Sequence, residues 1–428
     1  MNKFCATKMT SARVWVIWWA WHTVPCTLAV VAGPIIATIY SLSRPEYSKD
    51  GSFSISQALN GTLCLMMFLS LFLSRRLHLL KLQIIRPIIF LSVYAGMTCF
   101  LSQYPYENIA FSLKLVFLAL IFASAFHLAQ SKLCSENWLA GCASVILTFM
   151  AVSQVIGYVT GNTIAYYSDY ATAGIISLGS VTATFIVATL PVFLRFFPDR
   201  KWSLVGIIIA ISSLFFTMRR TELISAICAI IIVIMYNINP FRQNKLSRGV
   251  ILAVLILSVL TTIGLSSPAG SDLLARMSDL NPSEGTGSGR YIFWRISLDH
   301  ILNRGICEQV MGEGMGSIRN VLYKNFGLEI GSHTAWLDIT YAFGLFGLIV
   351  LLWWYFRLVQ LAKYMNDNKN AAFQGVFSAV IIMFLLSIGQ GGFNEPSLAL
   401  IYAALGYWMG QTFDYRRRQV IYARSDLY

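Results

Sequence analysis

Charge is what this 428-residue chain most lacks: Asp, Glu, Lys and Arg make up 12% of it, against about a quarter in an average soluble domain. So few charges cannot coat a soluble surface of this size, which argues against a cytosolic enzyme and against a disordered chain. Paired cysteines are missing too. The eight are scattered, and only Cys307 falls in a segment expected on the outer face, so no outer disulfide framework is expected. No C-x-x-C or His/Cys cluster has metal-ligand spacing. Without a D-x-D pair, a metal-dependent nucleotide-sugar glycosyltransferase is disfavoured. Without G-x-x-x-x-G-K-[ST], ATP-driven transport is excluded. Neither a metal nor an organic cofactor is expected.

What the chain has instead is apolar length, with 57% hydrophobic residues. A bilayer core needs about 20 mostly apolar residues per helix. Runs of that kind cover 13–40, 53–74, 84–103, 109–129, 138–159, 173–194, 202–217, 222–237, 249–265, 335–356, 373–390 and 397–412. The fold class that follows is an all-α integral membrane protein with about twelve transmembrane helices, forming a single polytopic domain over 1–428. The first run follows Lys3, Lys8 and Arg13 but is too long for a signal-peptide core and lacks an A-x-A site, so an uncleaved helix is expected.

Lys and Arg set the orientation. With the N-terminus inside and twelve spans, the inner segments carry a net charge of +16 and the outer ones −3. Both termini are then cytoplasmic. The overall +13 is therefore topological, and no nucleic-acid partner is expected. Tyr104, Tyr106, Tyr166, Tyr167 and Tyr170 fall in outer loops, where they suit an interfacial aromatic belt or, less directly, sugar stacking. One loop is long: residues 266–333, expected to be periplasmic, are polar and rich in Gly and Ser. Within it, 289–304 reads as an amphipathic helix, 312–316 (GEGMG) as a Gly-rich turn that could also admit a substrate phosphate, and 317–326 as a second short helix. Long ordered loops usually carry function.

Three features reach that outer face. Arg219 and Arg220 lie between two short apolar runs, where arginine is costly unless it snorkels to lipid phosphates or serves a site. Arg290 opens the amphipathic helix, where an anion would also meet the helix dipole, and Trp294 follows one turn on. His333 stands where the loop re-enters the apolar region; it is either an ordinary helix-mouth residue or a base poised near neutral pH. Guanidinium groups clamp phosphates, and a base beside them can activate a hydroxyl. Together they suit transfer from a phosphate-linked lipid donor to an alcohol.

At these residues the chain resembles the O-antigen polymerase and lipopolysaccharide ligase superfamily. The likeness rests on the order of an outer-end arginine (Arg220), an R-x-x-x-W element (Arg290, Trp294), an H-x-x-x-L element (His333, Leu337) and a Gly-x-x-Gly step (Gly344, Gly347). The family often has Ser-Arg where this chain has Arg219-Arg220, which leaves the role of Arg219 open. The resemblance implies a metal-independent glycosyltransferase of the bacterial inner membrane. Its donor would be an undecaprenyl-pyrophosphate-linked oligosaccharide, and its acceptor either a growing glycan or the lipid A core. Arg220 and Arg290, with Arg219, would bind pyrophosphate, and His333 would be the general base. Trp294, Asp338 and Glu395 would be supporting residues. A chain-length regulator or a flippase would be the protein partner, lipopolysaccharide or exopolysaccharide the product. Arg-Thr at 220–221, in place of Arg-Gly, inclines toward a polymerase.

Two rivals remain. A secondary transporter would show inverted repeats and broken midplane helices, and none is visible. His333 and Asp338 also form the H-x-x-x-x-D pattern of acyltransferases, but on one helix five residues place them about 140° apart. A carboxylate pairing elsewhere then explains it.

Overall fold

The computed structural model of the chain describes residues 16–33, 35, 55–100, 102–161, 179–197, 199–238, 290–326, 331–367, 370–389 and 395–425. The expected span at 249–265 and loop residues 266–289 lie outside these, as do Tyr166, Tyr167 and Tyr170 of the expected aromatic belt. Among the described residues every regular element is a helix. Four are long and apolar enough to cross a membrane: α1 (Val16–Gly33), α4 (Pro105–Gln130), α5 (Asn137–Val159) and α12 (Ala335–Asp367). Around them stand α2 (Ile55–Leu73), α3 (Arg86–Thr98), α6 (Gly179–Phe196), α7 (Lys201–Thr217), α8 (Arg220–Ile238), α13 (Phe373–Gly389) and α14 (Ala399–Ser425). Three short helices belong to the expected loop: α9 (Arg290–Leu302), α10 (Ile306–Met311) and α11 (Ser317–Phe326). The chain is thus a helical protein built on membrane-spanning lengths of apolar helix.

Helices in a membrane gain little from hydrophobic exclusion and associate instead through close backbone approach at small residues. The contact between α4 and α14 shows how. Gly406 and Gly410 are four residues apart on α14, and a Cβ on either would overlap the backbone of Phe122 or Phe126 on α4. Tyr407 and Trp408 anchor the same helix, donating to the Cys134 carbonyl at 2.8 Å and to Glu136 Oε1 at 3.0 Å. Glu136 also pairs with Arg195 at 3.0 Å, so its charge is compensated.

The long helices define two ends. At one, Glu107 near the start of α4 pairs with Arg319 of α11, and Asn108 accepts from the Met315 amide at 2.6 Å. α12 begins at the same end, beside the short loop helices. Twenty-odd residues further along it, Arg357 bonds Gln83 at 3.2 Å, and more than two turns beyond that Asn366 accepts from Tyr236 at the far end of α8, also at 3.2 Å. At 1.5 Å per residue the ends are separated by roughly 35 Å.

α12 is not straight. Gly344 sits at φ 64°, ψ −163°, interrupting the helical hydrogen-bond ladder. The carbonyls released there are taken up by the loop: the Glu313 amide bonds Tyr341 O at 3.3 Å, the Gly314 amide bonds Ala342 O at 2.8 Å, and Arg304 Nη1 bonds Tyr341 O at 3.1 Å. The Arg304 guanidinium also lies 4.0 Å from the Tyr341 ring centroid and 3.3 Å from Glu313. Gly312 has φ 78°, and a Cβ there would overlap the Ala342 carbonyl. Forced left-handed geometry and overpacking each cost about 1–2 kcal/mol. Gly312→Ala is therefore expected to lower unfolding stability in detergent by about 3 kcal/mol. Gly61→Ala, where a Cβ meets nothing within 4 Å, should leave stability unchanged or raised.

Candidate active site

α7 ends without a glycine. Met218 takes φ 52° and is 2% exposed, and after it the chain turns at once into α8. This tight reversal puts Arg219 and Arg220, both half-buried, at the tip between the two helices. Thr221, one residue on, meets two partners distant in sequence. A Cβ on Gly389, the last residue of α13, would overlap the Thr221 side chain. Arg290 at the first position of α9 extends to the same place, donating from Nη1 to the Gly389 carbonyl at 2.7 Å and lying 3.4 Å from Thr221 Oγ1. The paired arginines and Arg290 are therefore neighbours, joined at the ends of three helices.

His333 enters from the start of α12. Its φ is 59°, a left-handed conformation that costs a non-glycine residue about 1–2 kcal/mol. The residues on either side hold that geometry. Ser332 donates its amide to Asp338 Oδ1 at 3.0 Å and accepts Trp294 Nε1 on its carbonyl at 2.9 Å. Its hydroxyl lies 3.1 Å from Thr334 O and 3.3 Å from the Thr334 amide. Thr334 in turn donates to the Ser387 carbonyl at 3.2 Å, and Trp336 donates to Ser387 Oγ at 3.0 Å. With both neighbours bonded, the imidazole projects from a rigid turn, and its ring centroid lies 6.3 Å from that of Phe293. Strain maintained by surrounding structure is characteristic of functional positions.

The electrostatics of His333 follow from this placement. Its pKa is lowered from 6.5 to about 4, chiefly by burial and then by the positive charges of Arg290 and Arg219. At neutral pH the ring is uncharged and able to accept a proton. Of the two paired arginines, Arg219 is the one whose charge bears on His333.

Trp294 and Asp338 act on His333 through the backbone of Ser332. His333 precedes α12 and takes φ 59°, so the two residues do not share one helix as the angle argument assumed; Asp338 instead bonds the turn that carries the histidine. Glu395 precedes the short 3-10 turn Pro396–Leu398, with its carbonyl accepting the Leu398 amide at 2.9 Å. The Gly-rich segment is a turn docked on α12. The amides of Gly312, Glu313, Gly314 and Met315 are bonded to Glu308 O, Tyr341 O, Ala342 O and Asn108 Oδ1, which leaves them engaged and not free for a phosphate. His300 is tied to the Tyr341 hydroxyl at 2.9 Å. Sequence reasoning missed Ser387 and Gly389 and read Thr221 only as a cue toward a polymerase; their parts here are contacts between segments far apart in the chain that leave no local pattern. Among the described residues, no three His, Cys, Asp or Glu side chains gather as a metal site would require.

No family model matches the chain, and no curated protein matches it.

Proposed function

We propose that the chain is a membrane glycosyltransferase. It transfers a glycan from a polyprenyl-pyrophosphate carrier to an acceptor hydroxyl at the site formed by Arg219, Arg220, Arg290 and His333. The observation that carries this reading is an uncharged, rigidly presented histidine whose pKa is depressed by burial and by Arg290 and Arg219. Arginines suit a pyrophosphate, and a neutral imidazole suits a hydroxyl. The twelve-span topology belongs to the same proposal, with both termini cytoplasmic and 266–333 periplasmic, and so does membership of the O-antigen polymerase and ligase superfamily. Undecaprenyl pyrophosphate is the carrier the resemblance implies, with a flippase or chain-length regulator as protein partner.

In the reaction the acceptor oxygen attacks the anomeric carbon as His333 takes its proton. The bond from that carbon to the pyrophosphate oxygen breaks, and the leaving pyrophosphate gains a negative charge that the arginines balance. Such electrostatic stabilisation usually contributes more to catalysis than any other single effect. The same arginines regulate the base. In the free protein they add to the weakening of His333 that burial begins; a bound pyrophosphate neutralises them and raises its basicity by their share. The base thus becomes effective once the donor is in place.

A pH profile follows. Because the uncharged form is the active one, activity is lost as pH falls through the histidine pKa. The acid limb of kcat/KM, which reports the free protein, is expected near 4, and that of kcat higher but still below 6.5, because burial, the larger cause of the depression, persists when the donor is bound. Coincident limbs for the two parameters would show that the donor does not change the histidine.

The test is reconstitution with a lipid-linked repeat unit, with and without a lipid A core acceptor. A ladder of lipid-linked products would identify a polymerase, the outcome favoured by Arg-Thr at 220–221. Product made only with the core acceptor would identify a ligase. Lipid-linked unit that crosses the bilayer unchanged would identify a transporter and end the glycosyltransferase reading.

A further inference from the structure

A second place in the bundle collects polar groups that lack partners, and it lies far from His333. Where α2 gives way to the short 3-10 helix Leu77–Lys81, a cavity of about 320 Å³ opens against the last turns of α4 and the middle of α14. Arg76, His78 and Gln130 line one part of it, and Leu82, Phe126 and Phe413 another. Gln83, next to this wall, bonds Arg357 at 3.2 Å. The cavity therefore belongs to the end of the bundle opposite the candidate active site, roughly 35 Å away along α12.

The polar groups here are not used by the fold. No hydrogen bond or ion pair among the described residues engages the side chains of Arg76, His78 or Gln130, in contrast to Arg195, Arg304, Arg319 and Arg357, each of which has one. Arg76 and Gln130 are half-buried, and a cavity that gathers unpartnered polar side chains beside an apolar wall is one that a ligand would complete. The ligand must be anionic to satisfy Arg76 and must carry an apolar part to cover Leu82, Phe126 and Phe413. Phe413 is also 44% exposed at the outer surface of its helix, so the apolar wall continues to where bilayer chains would lie. In sequence Arg416, Arg417 and Arg418 follow one turn later. Basic pockets between helices on the cytoplasmic side are suited to anionic lipid headgroups.

We propose that this cavity binds an anionic phospholipid, its phosphate held by Arg76 and Gln130 and an acyl chain laid along Phe126 and Phe413. The site is separate from the transfer reaction and stands whether or not that reaction is correctly assigned.

The test is native mass spectrometry of delipidated protein titrated with phosphatidylglycerol in detergent, with phosphatidylethanolamine, whose headgroup is zwitterionic and net neutral, as the comparison. Wild type should retain one phosphatidylglycerol in preference to phosphatidylethanolamine. Arg76→Ala should weaken that retention about fivefold, as expected for one basic residue near the headgroup, and Arg76→Ala with Gln130→Leu further. Arg76→Lys, which keeps the charge, should recover most of it, and Arg319→Ala at the other end should have no effect. Unfolding midpoints measured on the same samples separate loss of the site from loss of the fold. Equal retention of both lipids by wild type, or equal retention of phosphatidylglycerol by wild type and Arg76→Ala, would overturn the proposal. Displacement of the lipid by millimolar inorganic phosphate would also overturn it, by moving the site to soluble phosphate compounds.

Discussion

Replacing His333 by Ala is expected to lower the rate of transfer about 10³-fold, within the range that loss of a general base costs, while the protein remains folded. The fold does not lean on the imidazole. The turn is held by the backbone and hydroxyl groups of Ser332 and Thr334, through Asp338, Trp294 and Ser387. A second substitution separates chemistry from structure. At φ 59° glycine is more comfortable than any side-chain-bearing residue, so His333→Gly should be as inactive as His333→Ala yet at least as stable as wild type. Activity and stability would then move in opposite directions at one position, which a purely structural histidine would not allow. The readout is initial rate with a lipid-linked donor, paired with unfolding midpoint.

Arg290→Ala is expected to lower kcat 10²–10³-fold, as does removal of a group that stabilises developing negative charge. It should also shift the acid limb of kcat/KM upward from about 4, because one of the two charges that depress His333 has gone. The second effect is specific to the proposed arrangement. An arginine that only tethers helices would leave the limb unmoved, although Arg290 does tether them through the Gly389 carbonyl at 2.7 Å. Arg290→Lys keeps a charge near His333 and should keep the limb low. It should nevertheless recover less than a tenth of the lost rate, since a single ammonium cannot reproduce the fork of a guanidinium. Arg219→Ala should move the limb in the same direction, which assigns that residue a part in the site beside Arg220.

Much of this could be read from residue order, for reasons that lie in particular elements. Arg290–Leu302 and Ser317–Phe326 were legible because their apolar residues recur at helical spacing, and Phe293, Ser297 and Ile301 form the buried face that spacing required. The α10 helix, Ile306–Met311, was not: six residues are under two turns and show no period. The runs at 335–356 and 397–412 mark apolar stretches whose helices continue to Asp367 and Ser425, because a helix does not end where hydrophobicity does. Gly344 and Gly347 could be noticed as a pair, but which one breaks α12 depends on the loop that docks there. Gly406 and Gly410 passed unnoticed since small residues carry weight only against a known neighbour. At the site, residue types identified His333 and the arginines. The turn that presents the histidine depends on Asp338 and Trp294 meeting Ser332, a contact no single-chain pattern encodes.

The most direct measurement is the stoichiometry of carrier release. Purified protein in proteoliposomes would be given a radiolabelled polyprenyl-pyrophosphate-linked repeat unit and its acceptor, and free polyprenyl pyrophosphate counted against new glycosidic bonds. One carrier pyrophosphate freed per bond formed by wild type, and neither product above background with His333→Ala, is the predicted result. Bonds formed equally well by His333→Ala, or labelled donor recovered intact on the other side of the bilayer, would contradict it.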